Sequence, residues 1–598
     1  MTAATLPSDR LPAGILPEVI DLVRQAGVPL AAEFALPTGP RALGRETAPI
    51  DTEIELFLRE RLTKLLPARF VGEEAGVLAA EANGYCWVVD PHDGTRACLE
   101  GRRGSAISVG LLFRGQPVLG VVYAPLSPDR GPDLIAWAEG APMTRNGLPV
   151  QANLGEKTLT NRDVVFLNHG AWQRPVWNST RCAPARFMPL PSIAYRLARV
   201  AVGDGIATVT LRPVNAHDIA AGHALLTAAG GVLVQEDGEP VRYDVDGASR
   251  PFACFGGAPA AVAALRARTW RGATEPRRED RVTLAWPRVA EGTRLDRALG
   301  CLLGLAIGDS LGSQVEFMTQ DSIRSTYPAG VREIRDSPVW RTQAGQPTDD
   351  TELALALARS LVRRRGYNPQ DALAAYRRWF QSGPFDIGTT IGAAFGPDAA
   401  PQADSQGNGS LMRVAPIGVW APDPETAAHT ASLDSELSHP HPVCRAACAA
   451  FAAAIAAALD GTDRPGMRDA ALLYATETVV ADAVQTASPP EDFKRHEGWV
   501  LIALRNAFHH LNAGTPFEAA LIATASAGGD TDTNAAIAGA LLGAADGRAS
   551  MPVRWIMPVL TCRPDAALHP DRPRPEAYWP DDLLDLAEAL LLCGGHHD

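Results

Sequence analysis

The stretch SAGGDTDTNAAIAGALLGA, residues 526–544, indicates the fold class of the second half of this 598-residue chain. Its apolar residues recur at helical spacing after position 534, which predicts a plain helix. Four oxygen-bearing side chains open that helix: Asp530, Thr531, Asp532 and Thr533. A surface turn would explain them, because Gly and Asp are common turn residues. Two aspartates this close repel each other unless a positive charge lies between them. The other interpretation is therefore that these residues form half of a cation site.

Helical spacing continues through the rest of the second half. The stretches 295–312, 349–366 and 442–461 carry apolar residues at helical intervals and each ends in glycine. Strand signals nearly vanish from Arg294 onward. An all-α domain is therefore predicted for residues 294–598.

The first half has a different pattern. Residues 84–124 contain short β-branched runs broken by Gly and Pro, which is typical of strands. The stretches 192–203 and 218–237 add helices and a further strand. We predict a mixed α/β domain over residues 1–268 and, from the charged, proline-containing and aperiodic stretch 269–293, a linker.

Composition excludes several classes of protein. The formal net charge of −13 and the lack of a basic run with aromatics argue against a nucleic-acid binder. Nine cysteines without a CxxC pair predict neither a zinc site nor disulfides. The N-terminus lacks signal-peptide features, and the apolar stretch 446–459 is too short to span a bilayer and predicts a buried helix. We expect a soluble, cytoplasmic protein.

The second half contains a partner for the cluster at 530–533. PTDDTE, residues 347–352, places Thr348, Asp349, Asp350 and Thr351 at the start of a helical segment, and Glu316 lies in another acidic motif upstream. Carboxylates and hydroxyls without His or Cys suit hard cations such as Mg²⁺ or Mn²⁺. The alternative is a helix N-cap, because Asp and Thr cap helices well.

Five ordered motifs resemble those of ADP-ribosylglycohydrolases, most closely of the dinitrogenase-reductase-activating type, over nearly all of residues 294–548. The motifs are GDSLGSQVEF (308–317), GQPTDDTELALALARSL (345–361), GNGSLMRVAP (407–416), SHPHP (438–442) and GGDTDTNAAIAGALLGA (528–544).

The resemblance implies an all-α enzyme with two Mg²⁺ or Mn²⁺ ions that cleaves the glycosidic bond between ADP-ribose and its acceptor. The metal ligands that it implies are Thr348, Asp349, Asp350, Asp530, Asp532 and Thr533. The catalytic residues are Glu316, Asp349 and Asp532. The contacts to ADP-ribose are Asn408, Gly409, Ser410, Met412 and His441.

GPFDIGTT, residues 383–390, resembles a segment of arginine-directed family members in which an aspartate faces the modified guanidinium. Asp386 is the matching residue, and a carboxylate suits a planar guanidinium. Arginine-linked ADP-ribose is thus favoured over serine-linked ADP-ribose. The alternative for Asp386 is an ordinary loop or capping residue.

A second acidic cluster is expected in the first half. WVVDPHDGT, residues 87–95, supplies Asp90 and Asp93 at the end of a buried strand, Glu73 and Glu74 lie upstream, and Asp218 opens a helix. Carboxylates at strand ends beside a helix N-terminus make a place for Mg²⁺ and phosphate. Turn chemistry is the alternative for the DPxDG part.

In this order the motifs resemble the inositol monophosphatase family over residues 15–265, which implies a layered αβαβα fold. The ligands of Mg²⁺ that the resemblance implies are Glu73, Asp90, Asp93, Asp218 and the His92 carbonyl. Thr95 with Glu73 would orient the attacking water, and the amides of Gly94 and Thr95 would hold the phosphate. Asp51 matches an early aspartate of the family.

Two departures from this family bear on the substrate. His217 replaces the tryptophan before the last metal aspartate, and Leu211 replaces the glutamate that holds the inositol ring. A phosphorylated nucleotide or sugar is therefore expected instead of inositol phosphate.

Three hypotheses follow. The chain is a bifunctional phosphatase and ADP-ribosyl hydrolase, or an active hydrolase with a phosphatase-like scaffold or sensor, or an ADP-ribose-binding module without catalysis. The expected partners are an ADP-ribosylated protein or small molecule, a phosphorylated nucleotide or sugar, and a second copy of the chain in a homodimer. No membrane partner is expected.

Overall fold

The computed structural model describes residues 11–12, 14–74, 76–79, 83–244, 246–279, 281–284 and 286–595. The N-terminal stretch expected to lack a signal peptide falls mostly outside them. The chain divides into two compact units, Met1–Glu279 with Ala285–Ala290 and Asp280–Leu284 with Glu291–Asp598. The stretch 269–293 that the sequence predicts as a linker is thus shared between the units, and its boundaries stay a prediction.

The first unit contains an eight-stranded sheet in the order β2-β1-β3-β4-β5-β6-β7-β8. Strands β1 and β3 are parallel, and the other neighbours are antiparallel. The strands are β1 Arg69–Gly72, β2 Val77–Leu78, β3 Tyr85–Asp93, β4 Ala106–Phe113, β5 Gln116–Ala124, β6 Asp133–Ala138, β7 Thr144–Arg145 and β8 Leu148–Pro149.

A second sheet of five strands has the order β10-β9-β11-β13-β12. Strand β9 is parallel to β10 and β11, and β13 is antiparallel to β11 and β12. The strands are β9 Val164–Leu167, β10 Arg186–Pro189, β11 Ala207–Thr210, β12 Val232–Gln235 and β13 Cys254–Gly257.

Helices cover both faces of the first sheet. Successive strand residues point to opposite faces: Val109 and Leu111 join the core under α1 and α2, whereas a Cβ at Gly110 would touch Ala221 of α6. Helices α5 and α6 contact both sheets, and α4 and α7 pack against the second sheet. The layered αβαβα prediction is confirmed. The helices are α1 Ile15–Phe34, α2 Pro49–Leu65, α3 Thr95–Leu99, α4 Pro175–Cys182, α5 Ile193–Ala201, α6 Ala216–Ala228 and α7 Pro259–Arg266.

The regular elements of the second unit are helices over its described residues, which confirms the all-α prediction. Its longer helices are α8 Thr293–Gly312, α9 Gln320–Thr326, α10 Asp349–Arg364, α11 Pro369–Gln381, α12 Thr389–Phe395, α13 Ala415–Trp420, α14 Pro424–Glu436, α15 Pro442–Leu459, α16 Arg464–Tyr474, α17 Thr478–Val484, α18 Val500–Asn512, α19 Phe517–Ala525, α20 Thr531–Asp546, α21 Val553–Leu560 and α22 Leu583–Cys593. Short 3₁₀ turns connect the last of them.

Helices α8 and α20 pack against each other through glycines. A Cβ added at Gly304 would lie 2.1 Å from the Gly539 carbonyl oxygen, and one added at Gly312 would lie 2.3 Å from that of Thr531. Side chains larger than hydrogen would separate the two backbones. The pairing is antiparallel, so the end of α8 meets the start of α20, and this brings two acidic motifs together.

Helix α15 contains the apolar stretch noted in the sequence. Among the described residues it is the one helix long and apolar enough to cross a membrane, and 89% of that span is buried inside the structure. Such burial is typical of a core helix in a soluble domain, as the sequence predicts for this stretch.

Candidate functional sites

Three segments of the second unit place carboxylates together. Oxygens of Asp309 near the end of α8, Asp350 in the first turn of α10 and Asp532 in the first turn of α20 lie within 4.8 Å of one another. All three side chains are buried. The two acidic motifs that the sequence pairs, at the starts of α10 and α20, therefore do meet, because both of these helix starts lie at the end of α8.

Asp309 organises this cluster, and sequence reasoning missed it. Its carboxylate accepts hydrogen bonds from the backbone N–H groups of Thr348 and Thr351, each at 3.1 Å, and from both hydroxyls. A carboxylate at a helix N-terminus satisfies amides that have no partner within the helix. Asp309 thus fixes the start of α10 from a different helix.

The N-cap interpretation does not account for the clusters. Thr348 and Asp530 occupy the N-cap positions of α10 and α20, and neither makes a side-chain capping hydrogen bond. The Thr348 hydroxyl instead donates to Asp309 and, at 3.1 Å, to Asp350. The Thr533 hydroxyl donates to Asp350 at 3.4 Å.

A second carboxylate group adjoins the first through a shared residue. Oxygens of Glu316, Asp386 and Asp532 also lie within 4.8 Å of one another. The indole N–H of Trp340 donates to Glu316 Oε2. Asp386, predicted to face an acceptor guanidinium, is thus close to the candidate metal ligands as well.

The electrostatics of these groups favour a bound cation or bound protons over a set of free carboxylates. Burial, followed by the charge of Asp386, raises the pKa of Glu316 to about 8. Burial and the charge of Asp530 raise the pKa of Asp386 to about 7. Burial raises the pKa of Asp309 to about 6, although hydrogen bonds from Thr351 and Thr348 oppose the rise. Burial and neighbouring carboxylates also hold the pKa values of Asp349, Asp350 and Asp532 well above their usual range.

One buried oxygen of the cluster, Asp350 Oδ1, has no hydrogen-bond partner. A buried acceptor without a partner costs free energy, and a bound cation would remove that cost. The donor set of carboxylates and hydroxyls suits Mg²⁺ or Mn²⁺. The residues present therefore fit the predicted ions, and their roles as ligands stay predictions.

A cavity of about 300 Å³ opens beside the carboxylates. Its lining contains eight of the residues predicted for this site: Glu316, Asp349, Asp386, Asn408, Gly409, Met412, Asp530 and Thr533. The Asn408 amide donates to Asp530 Oδ2 at 2.8 Å, which ties the GNGS loop to the start of α20. Thr348, Asp350 and Asp532 do not appear in this lining.

Two predicted ADP-ribose contacts lie elsewhere. Ser410 is buried, and its Oγ accepts hydrogen bonds from Ser435 and Cys448. His441 caps α15 by accepting from the Val443 amide. His439 lines the cavity instead, where burial lowers the pKa of its imidazole to about 3. Of the two histidines in this short motif, the structure places the first in the cavity lining, and the ligand contact of His441 stays a prediction.

The candidate site of the first unit begins at a β-bulge. Strand β3 pairs Asp90 with Ser108 and Asp93 with Ala106, so an extra residue is inserted into β3 between them. Bulges redirect side chains and are frequent beside active sites. The His92 amide donates to Asp90 Oδ1 at 2.8 Å across this turn of the chain.

Asp90, Asp93 and Asp218 meet at the bulge, with carboxylate oxygens within 4.8 Å of one another. Asp93 accepts from the Ser192 hydroxyl at 2.6 Å and from the Ala194 amide at 2.7 Å, both at the start of α5. Asp218 accepts from the Asn215 amide and so also caps α6. Sequence reasoning missed Ser192, which carried no motif.

Thr95, Asp51 and His92 form a buried group beside these carboxylates. The Thr95 hydroxyl donates to the His92 carbonyl at 2.7 Å, and His92 Nδ1 lies 2.7 Å from Asp51 Oδ1. Burial lowers the pKa of His92, but neighbouring Cys98 and Asp51 outweigh this effect and raise it to about 10. Gly94 precedes α3 with a φ of 97°, a conformation that favours glycine.

Glu73 reaches the cluster from an exposed turn. Its carboxylate lies within 4.8 Å of Asp90 and of a His217 ring nitrogen. Burial of the carboxyl group, followed by the charge of Asp218, raises the pKa of Glu73 to about 8. Burial raises the pKa of Asp90 well above its usual range and those of Asp93 and Asp218 to about 6. Burial lowers the pKa of His217. This donor set also fits a divalent cation, and the roles of its residues stay predictions.

Comparisons with known proteins match each unit separately. A family model described as ADP-ribosylglycohydrolase matches residues 290–594, and one described as Inositol monophosphatase family matches residues 41–266. ADP-ribosyl-[dinitrogen reductase] glycohydrolase of Rhodospirillum rubrum is 31% identical over 281 residues, which cover 44% of this chain and 89% of that protein.

Two further relatives extend these matches. ADP-ribosylarginine hydrolase Tri1 of Pseudomonas putida is 29% identical over 279 residues, which cover 44% of this chain and 74% of that protein. Probable inositol 1-monophosphatase ImpA of Mycobacterium tuberculosis is 31% identical over 248 residues, which cover 37% of this chain and 86% of that protein. Both resemblances drawn from the sequence motifs are confirmed.

Proposed function

This chain belongs to the ADP-ribosylglycohydrolase family and, through its first half, to the inositol monophosphatase family, and on that premise we propose that it is a bifunctional metal-dependent hydrolase. The second unit removes ADP-ribose from an acceptor by glycosidic hydrolysis. The first unit hydrolyses a phosphate monoester. The observation that carries the proposal is the buried carboxylate cluster that adjoins a cavity in the second unit.

The residues of the second unit have distinct roles in this proposal. Thr348, Asp350 and Asp532 hold the ions from inside the cluster. Asp349 and Glu316 line the cavity and face the sugar, where a carboxylate stabilises the positive charge that develops at the anomeric carbon. Mg²⁺ or Mn²⁺ held by these residues would supply the charge that orients the ribose hydroxyls and a water.

The acceptor that we propose is an arginine side chain on a protein. Asp386 lies in the cavity wall, where its carboxylate can pair with a guanidinium. Phe317, 49% exposed, lines the cavity, and two exposed apolar residues adjoin lining positions along the chain, Ile387 at 38% and Trp499 at 39%. Exposed apolar side chains at these positions favour a protein acceptor over a free small molecule. One relative's name, ADP-ribosylarginine hydrolase, supports the same acceptor.

The test measures ADP-ribose release by the full chain from a protein ADP-ribosylated on arginine and from one modified on serine. Release should require Mg²⁺ or Mn²⁺, should prefer the arginine substrate, and should be abolished by Asp349→Ala. Asp386→Asn should reduce that preference at least tenfold, because it removes the charge that pairs with the guanidinium. Metal-independent release would refute the mechanism, and tight ADP-ribose binding without release would favour a binding module.

For the first unit we propose hydrolysis of a phosphorylated nucleotide or sugar. The carboxylates of Glu73, Asp90, Asp93 and Asp218 support it, because together they offer the oxygen ligands of Mg²⁺. Thr95 with Glu73 would orient the water, and the Gly94 and Thr95 amides would hold the phosphate. Leu211 offers no carboxylate to a polyol, which argues against inositol phosphate.

A panel of phosphorylated nucleotides and sugars, with inositol phosphate as comparison, tests this second activity through released phosphate. Turnover should need Mg²⁺ and fall at least a hundredfold in Asp90→Asn. Unchanged turnover in that variant would favour the scaffold or sensor hypothesis. We further propose a homodimer, which sedimentation of the purified chain would test, and a cytoplasmic location, which fractionation of cells would test.

A further inference from the structure

His217 lies in the first turn of α6, and nothing in the phosphatase proposal uses it. We propose that the His217 imidazole binds a cation together with Glu73 and Asp90, so that the first unit holds one mixed nitrogen and oxygen site. Such a site takes Mn²⁺ or Zn²⁺ in preference to Mg²⁺. The inference rests on the proposed function in one respect: the first unit must bind a divalent cation.

The geometry brings three ligand atoms of two types to one point. A ring nitrogen of His217 and carboxylate oxygens of Glu73 and Asp90 all lie within 4.8 Å of one another. Bonds of about 2.0–2.2 Å to one cation place its ligand atoms roughly 3–4 Å apart. Small side-chain movements would therefore close the three atoms around an ion.

Two buried atoms without hydrogen-bond partners point to a missing ligand. They are His217 Nε2 and Asp90 Oδ2, on residues that are 9% and 1% exposed. The closest charged contact of His217 Nε2 is Asp218 Oδ1 at 3.8 Å, which is too long for a hydrogen bond. Leaving such atoms buried and unpaired is costly, whereas a shared cation would satisfy both.

Asp90 also belongs to the oxygen-only group with Asp93 and Asp218. The first unit thus offers two adjacent cation positions of different chemistry that share one carboxylate. Oxygen ligands suit Mg²⁺, whereas an imidazole nitrogen favours Zn²⁺ or Mn²⁺. The cation position that contains His217 is therefore the one that sets the metal preference of this unit.

The test uses the full chain carrying Asp532→Asn, which weakens the carboxylate cluster of the second unit. Mn²⁺ is added, and pulsed electron paramagnetic resonance detects nitrogen bound directly to the ion. We compare His217→Gln with His223→Gln, a histidine on the same helix whose ring contacts Tyr243 and lies outside the cluster. The nitrogen signal should be present in the parent and in His223→Gln and absent in His217→Gln.

Affinities measured on the same proteins complete the test. Removing the imidazole should weaken Mn²⁺ and Zn²⁺ binding roughly tenfold or more and leave Mg²⁺ binding nearly unchanged. If the glutamine variant fails to fold, His217→Cys with Co²⁺ should show a sulfur-to-metal absorption band. A nitrogen signal that survives in His217→Gln, or Mn²⁺ binding without one, overturns this inference alone. Failure of Asp90→Asn to lower the number of bound ions would overturn the proposed phosphatase site as well.

Discussion

Replacing Gly304 with alanine tests how the ADP-ribosylglycohydrolase site is assembled. The new Cβ would lie 2.1 Å from the Gly539 carbonyl oxygen, and ordinary contacts begin near 3.4 Å. Because the obstacle is backbone, no rotamer change relieves it, and α8 must move from α20 by roughly 1.3 Å. That movement separates Asp309 and Glu316 from the first turn of α20.

The expected cost follows from these distances. Overpacking lowers the free energy of unfolding by about 1–3 kcal/mol, and the better helix propensity of alanine raises it by about 1 kcal/mol. The backbone contact puts the cost at the upper end, so a net loss of about 2 kcal/mol is expected, with a fall in Tm of roughly 3 °C for a unit of this size. A displacement of about 1 Å in a catalytic arrangement lowers the rate by about a hundredfold.

Thermal unfolding and steady-state release of ADP-ribose measure both effects. The matched control is Gly292→Ala, immediately before α8, where an added Cβ meets nothing within 4 Å. The control should keep its Tm and activity. If Gly304→Ala matches the control in both, the close approach of α8 and α20 does not position the site.

Three further predictions concern the same carboxylates. Without metal, the free energy of unfolding should fall by a few kcal/mol as pH rises from about 4 to 8. In the unfolded chain, carboxyl groups release their protons near pH 4. In the folded chain the pKa is about 8 for Glu316, 7 for Asp386 and 6 for Asp309, so folding is opposed once these groups must ionise. Thermal melts with chelator and with added Mg²⁺ measure this effect, and Mg²⁺ should reverse the trend. A metal-free stability that rises over this pH interval would contradict the assigned charges. Asp309→Asn should destabilise the chain by about 3 kcal/mol and weaken metal binding. The new amide NH₂ cannot accept hydrogen bonds from the N–H and hydroxyl groups of Thr348 and Thr351. An unchanged denaturation midpoint would show that Asp309 does not hold the start of α10. Trp340→Phe removes the indole N–H that donates to Glu316 but keeps an aromatic ring beside Phe385. The kcat for ADP-ribose release should therefore fall about tenfold at constant KM. An unchanged kcat would show that Glu316 does not need this hydrogen bond.

The sequence predicted the architecture well because its signals are local. The helical spacing after Asp530 and the β-branched runs of residues 84–124 each report on neighbouring residues, and both units have the expected class. The acidic motifs at 347–352 and 528–544 also meet as expected. Each motif places several carboxylates and hydroxyls side by side, which is unusual enough to predict that the two motifs lie together.

What the sequence missed depends on contacts between distant segments. Asp309 sits in an apolar helical pattern, and only the approach of α8 to the start of α10 gives its carboxylate four donors. Packing around α15 places His439 in the cavity lining and His441 against the Val443 amide, and no local pattern reports that difference. A polar residue inside a glycine-rich apolar helix, as in GDSLG, was the available signal for Asp309.

In the first half, the sequence noted His217 only as a departure from a family pattern. Its position beside Glu73 and Asp90 depends on α6 packing against the first sheet, which no local pattern reports. Ser192 likewise reaches Asp93 only because α5 begins beside the bulge of β3. Substitutions at such positions are informative when the structure shows what surrounds them.

The central claim is that one chain holds two independent metal-dependent hydrolytic sites. The direct measurement follows phosphate and ADP-ribose release in the same samples for the full chain, Asp90→Asn and Asp349→Ala, each with Mg²⁺ or Mn²⁺ and with chelator. Asp90→Asn should lose phosphate release and keep ADP-ribose release, and Asp349→Ala should do the reverse. Loss of both products in either variant, or of neither, would contradict the account.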